Sequence, residues 1–109
     1  MVPLKTAMDG VHSFVVNDMI PVMPNGVKKI GAIIVAKSIK NNPDKVMTPF
    51  VGFMKMSGIL SGDGQSVDEA LLSEAFSDAF ATMTTVDFLG FTFSADDSRK
   101  LVDRISRGQ

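Results

Sequence analysis

Length and composition predict one small domain. The chain has 109 residues, of which 45% are hydrophobic, so a single core can close, and we predict one domain over residues 1–109. It contains no cysteine, which excludes a disulfide framework and a thiolate metal site and indicates a reducing cytoplasm. The formal net charge of −1 steers the chain toward neither nucleic acid nor an anionic membrane.

The first predicted helix covers residues 3–19. Apolar residues recur along it at the i, i+4, i+7 spacing of one helical face, at Leu4, Met8, Val11, Val15 and Met19. Gly10 lowers the intrinsic stability of this helix by about 1 kcal/mol relative to alanine, so packing must hold it. Pro21 and Pro24 prevent its continuation, and Asn25 and Gly26 form a turn before the next helix.

Residues 27–40 form the most apolar predicted helix. Its isoleucines, valines and alanines point in all directions at 100° per residue, and lysines lie at both ends. A length of about fourteen residues favours a helix over a short buried strand. Such a helix is normally buried at the centre of a domain, so Ile34→Asp is expected to unfold the protein. A membrane-surface helix with basic ends is the alternative interpretation.

Two helix starts follow in succession. Asn42 with Pro43, and Thr48 with Pro49, both place a capping residue before a proline. This pattern predicts two short helices or one helix kinked at Pro49. Gly58 fits the C-cap that ends this segment.

The clearest amphipathic helix is predicted over residues 67–82. Ser66 and Glu69 have the spacing of a capping box at its start. Glu74 and Asp78 face water on this helix. The predicted buried stripe consists of Leu72, Phe76, Ala79, Phe80 and Met83.

Residues 84–94 change from helical to strand periodicity. With Leu89 and Gly90 as the turn, the cross-strand pairs are Phe88 with Phe91, Val86 with Phe93, and Asp87 with Thr92. The four apolar side chains share one face, which we expect the helix over 67–82 to cover. Phe91→Ala is then expected to cost about 3 to 5 kcal/mol. A longer loop around Gly90 is the alternative, because leucine tolerates positive φ poorly.

The last predicted helix is capped by Asp96 or Asp97 and runs through Ser106, with arginines near its C-terminal end. Together the elements predict a mainly α-helical α+β domain. It comprises about five helices and one small C-terminal two-stranded β-hairpin.

Catalytic, cofactor and metal sites are not predicted. His12 is the only histidine, and without cysteine a zinc site there would need carboxylates such as Asp9. The loop from Asp63 fails the spacing of a calcium-binding EF-hand, because Val67 and Asp68 occupy its fifth and sixth positions. Basic residues do not alternate with aromatic ones, so nucleic-acid binding is not expected. We therefore expect an interaction or assembly protein that is not an enzyme and needs no cofactor. A small-ligand-binding protein is the third interpretation, after the membrane-associated one.

Charge is distributed unevenly along the chain. Residues 19–62 carry six lysines against Asp44, whereas residues 63–98 carry eight acids and no base. A basic surface on one copy can therefore meet an acidic surface on another, which predicts a homo-oligomer. The unpaired edges of the hairpin offer a second route, since edge-to-edge pairing about a twofold axis would give a dimer. Neutralisation of the two segments within a monomer is the alternative. The candidate interaction surface comprises Lys28, Lys29, Lys37, Lys40, Asp63, Asp68, Glu74 and Asp78.

The order of the sequence motifs is similar to that in a group of known proteins. A proline-rich MIPVMP, a lysine-flanked apolar helix, KMSGIL, a DG loop, VDEALL, LGFTFS and DDSRKL follow one another along the chain. In this order they resemble small uncharacterised proteins of phages and prophages of Gram-positive bacteria. The resemblance implies a virus-associated product that acts in the host-cell cytoplasm or in virion assembly. It assigns no functional residues.

Overall fold

The helices are defined in a computed structural model, which describes residues 1–42, 51–52, 54–88 and 91–109. Helix α1 spans Leu4–Ser13 and continues as a π-helical segment over Phe14–Met19 and a 3-10 turn over Ile20–Val22. The other helices are α2 (Val27–Asn41), α3 (Glu69–Phe80) and α4 (Ala95–Arg107). Residues 51–52 and 54–56 are also helical.

The strands form two antiparallel pairs. Strand β1 (Val2–Pro3) pairs with β2 (Ser66–Val67), and β3 (Thr85–Phe88) pairs with β4 (Phe91–Ser94). In the second pair Val86 lies opposite Phe93, so the predicted hairpin register is confirmed. The predicted fold class is confirmed as well: the chain is mainly α-helical with a small β-hairpin.

Helices α1 and α4 form the centre of the molecule. They pack against each other more extensively than any other two described elements. Gly10 lies at their crossing, where a Cβ atom would overlap the carbonyl oxygen of Arg104 and lie 2.6 Å from the Cα of Ile105. The glycine that weakens the isolated helix therefore allows the two backbones to touch.

The π-helical segment joins α1 to the hairpin and to α4. Phe14 is buried, and its ring packs against that of Phe93 with 5.7 Å between centroids and a tilt of 41°. Asp18 accepts two hydrogen bonds from Arg104, at 2.9 Å from Nε and 3.2 Å from Nη2. This bidentate ion pair, which raises the pKa of Arg104, fixes the segment to α4.

Helix α2 lies at the surface, so the prediction that it is buried on all sides is wrong. Only one face points inward, with Ala32, Ala36 and Ile39 buried. Ile34 is 59% exposed, which also removes the reason for expecting Ile34→Asp to unfold the protein. Among the described elements α2 packs chiefly on α1, the π-helical segment and the 3-10 turn, so the apolar side chains on its opposite face stay exposed.

Two predicted helix caps are corrected. The N-cap of α3 is Asp68, whose carboxylate accepts hydrogen bonds from the backbone N–H groups of the second and third helical residues. Ser66 does not cap this helix, because its backbone pairs with Pro3 in the first sheet. The N-cap of α4 is Ser94, and Asp97 completes its capping box from the third helical position.

The elements that pack on the hairpin differ in part from those predicted. Strand β3 contacts α3 as expected, but β4 packs on α4, and Phe93 reaches Phe14. Helix α3 buries Leu72, whereas Met83 lies beyond its end and is 48% exposed. The Phe91 side chain, on which a stability loss was predicted, lies outside the described part of the chain.

The segment between α2 and β2 is described in part. The predicted helix starts at Pro43 and Pro49 lie outside the described residues. Met54 is buried, and Gly58 adopts a positive φ of 73°, as expected of a glycine C-cap. The segment therefore contributes Met54, Ile59 and Leu60 to the core.

Candidate interaction surface

The outer face of α2 is an exposed apolar stripe on a helix that buries Ala32, Ala36 and Ile39 on its inner face. It consists of Val27, Ile30, Ile33 and Ile34, which are 87%, 60%, 39% and 59% exposed. Positions 27, 30 and 34 follow the i, i+3, i+7 spacing and so project side by side. Scattered apolar residues are normal on a protein surface, but contiguous ones mark sites of association.

The apolar surface extends past the N-terminal end of α2. A cleft of about 220 Å³ lies there, and Met19, Val22, Met23 and Lys28 contribute to its walls. Val22 is one of the most exposed hydrophobic residues of the chain, at 80%. The two methionines add flexible thioether side chains, which adapt to differently shaped partners.

The lysines predicted for the interaction surface lie on the same helix as this stripe. Lys28, Lys37 and Lys40 are exposed, and Lys29 is half-buried with its Nζ donating to Asn25 Oδ1 at 3.4 Å. Residues 19–42 contain no aspartate or glutamate, so the lysine charges are not balanced within this stretch. The structure therefore brings the four lysines and the apolar stripe together on one element.

Two of the predicted acidic residues share a face of α3. Leu71, Glu74 and Asp78 follow the i, i+3, i+7 spacing, all three are exposed, and we call them the outer face of α3. Within the described residues neither carboxylate has a cationic partner. This face is complementary in charge to the outer face of α2, and it also presents one large apolar side chain.

The other two predicted acidic residues are engaged locally. Asp63 accepts hydrogen bonds from the Ser61 hydroxyl and the backbone N–H of Gln65, and these lower the pKa of its carboxyl. Asp68 is the N-cap of α3. Their carboxylates stabilise a loop and a helix end, which leaves Glu74 and Asp78 as the acids facing outward on a regular element.

Metal sites and membrane-spanning helices are absent from the part of the chain that the structure describes. No group of three or more histidine, cysteine or acidic residues is placed to hold a metal ion there. Over the same residues, no helix is both long enough and apolar enough to cross a membrane. The exposed apolar stripe of α2 is the candidate functional feature, on the basis of its exposure and spacing.

Similarity to known proteins gives no information on this candidate surface. No protein-family profile, no curated protein and no solved structure matches the chain. The proposed function therefore rests on the arrangement of apolar and charged side chains on α2 and α3.

Proposed function

We propose that the protein is a non-enzymatic interaction and assembly protein that self-associates through the outer face of α2. The observation that carries this proposal is the exposure of Val27, Ile30 and Ile34 in a row on a helix. Removing apolar surface from water yields about 25 cal/mol per Å², so covering this row is favourable. An assembly role, in the host cytoplasm or a virion, is also what the resemblance to phage proteins implies.

The proposed partner surface is the outer face of α3 on a second copy. Glu74 and Asp78 supply negative charge opposite the lysines of α2, and Leu71 supplies an apolar contact for Ile30 or Ile34. Exposed ion pairs contribute little affinity, but complementary charge fixes orientation and speeds association. If each copy uses one face at each contact, the contact is head to tail and generates a ring or a filament, whereas two reciprocal contacts about a twofold axis give a dimer.

Light scattering at tens of micromolar protein tests this proposal. At low salt we expect a mass well above the 11.7 kDa of one chain. At about 0.5 M salt we expect a lower mass, because exposed charges are then screened. Lys37→Glu should weaken the association, because it reverses a charge inside the α2 surface. Lys100→Glu makes the same change on the exposed side of α4 and should leave the mass unchanged.

Two results would count against self-association. A protein that remains at the mass of one chain under all of these conditions does not self-associate in this way. Equal effects of the two lysine variants would show that total charge, and not the face of α2, controls the mass.

A second candidate function is association with an anionic membrane surface through the same helix. The specific observation in its favour is that the apolar stripe is flanked by lysines without a compensating acid in residues 19–42. Such helices lie in the headgroup region and bind anionic lipids. Cosedimentation with phosphatidylglycerol vesicles, but not with phosphatidylcholine vesicles, would favour this function over self-association.

A further inference from the structure

An open groove of about 670 Å³ lies on the side of α1 away from α4. Four parts of the chain form it: α1, the C-terminal end of α2, the loop before β2 and the residues after α4. Pockets for small ligands typically measure about 300 to 1,000 Å³. The groove is thus large enough for a small molecule, and it is separate from the outer face of α2.

The floor of the groove is aliphatic. Leu4 and Met8, one turn apart on α1, and Ile39 of α2 provide its apolar surface. All three side chains are apolar and none is aromatic, and Met8 is also unbranched and flexible. This lining suits an extended aliphatic chain better than a flat ring that would need stacking.

The rim of the groove is basic. Lys5 and His12 of α1 and Lys40 of α2 line it, and Asp9 is the acidic residue among the lining side chains. Within the described residues none of these four side chains has an ion-pair partner. Two lysines from different helices therefore face the same groove with their charges available to a ligand.

We propose that this groove binds a small anionic amphiphile, an unbranched aliphatic chain that ends in a carboxylate. The chain lies on Leu4, Met8 and Ile39, and the carboxylate lies between the ammonium groups of Lys5 and Lys40. His12, whose role the sequence leaves open, contributes a hydrogen-bond donor on the same rim. This inference does not depend on self-association through α2, because the groove lies apart from Val27, Ile30 and Ile34, and Lys40 is the residue that the two surfaces share.

Calorimetric titration of the full chain with decanoate, below its micelle concentration, tests the inference. We expect saturable binding of one decanoate per chain and no comparable binding of decyltrimethylammonium, which has the same chain and the opposite charge. Lys5→Gln with Lys40→Gln should weaken decanoate binding by about tenfold or more, the loss expected on removing two favourable charges. Both lysines are exposed, so the fold should survive.

Two matched variants make the outcome decisive. Lys37→Gln with Lys100→Gln removes the same charge elsewhere on the surface and should bind decanoate as the parent does. Ile34→Asp should also bind normally, because Ile34 lies on the outer face of α2. Failure of the parent to bind decanoate, equal binding of the cationic amphiphile, unchanged binding by the Lys5 and Lys40 double variant, or loss of binding in Ile34→Asp would each overturn the inference.

Discussion

Gly10→Ala is expected to destabilise the protein by about 2 kcal/mol or more, although alanine is the better helix former by about 1 kcal/mol. The new methyl group would overlap the backbone of α4 at Arg104 and Ile105. Overpacking typically costs about 1 to 3 kcal/mol, and backbone atoms cannot relieve the overlap by changing rotamer, so the cost lies at the upper end or above. Urea unfolding followed by circular dichroism measures the change.

Gly31→Ala is the matched control for this prediction. Gly31 is also within a helix, but nothing lies within 4 Å of a Cβ atom built there. The same substitution should therefore stabilise the protein by up to about 1 kcal/mol. Equal stabilisation by both variants would mean that α1 and α4 do not touch at Gly10, and the described packing of the core would be wrong.

Phe93→Ala is expected to cost about 3 to 5 kcal/mol, which is enough to unfold a marginally stable domain. Phe93 is the buried residue that ties the hairpin to Phe14 of the π-helical segment. Met83→Ala serves as the control, because an exposed side chain should change stability by no more than about 0.5 kcal/mol. Thermal and urea unfolding of the two variants are compared with the parent.

A double-mutant cycle isolates the contact between the two rings. Phe14→Leu and Phe93→Leu keep both sites apolar, so the variants should remain folded. The coupling free energy expected for an aromatic pair is about 0.5 to 1.5 kcal/mol. A coupling near zero would place the rings apart and would remove the hairpin from the core formed with α1.

The hairpin shows how far local sequence determines this fold. A strand repeats every two residues, and a turn at a fixed position sets the register, so the pairing of Val86 with Phe93 could be predicted from sequence. The start of α3 is a different case. Ser66 and Glu69 have the spacing of a capping box. However, Ser66 belongs to β2 and pairs with Pro3, and Asp68 is the N-cap instead.

Tertiary contacts account for what could not be predicted. Asp18 and Arg104 are 86 positions apart, so no local pattern links them. A glycine lowers the stability of any helix by a similar amount, and only the close approach of α4 explains why a glycine occupies position 10. Helix α2 is apolar on every side, and its sequence alone does not say which side faces inward.

The candidate interaction surface was predictable in composition but not in geometry. Uneven charge along the chain indicates the lysines of α2 and the acids of α3, whose spacing then places Glu74 and Asp78 on one face. The same charge count includes Asp63 and Asp68, which the structure shows bound to nearby backbone N–H groups. The exposed apolar stripe depends on the position of α2 at the surface, which is a property of the whole fold.

Sedimentation velocity of Ile34→Asp tests most directly the claim that the outer face of α2 is exposed and mediates association. The variant places a charge at the C-terminal end of the apolar stripe, where the side chain is more than half exposed. We predict a single compact species with the mass of one chain, 11.7 kDa, at a concentration where the parent forms larger species. Larger species like those of the parent would contradict the role of this face in association, and an expanded, unfolded chain would contradict its exposure.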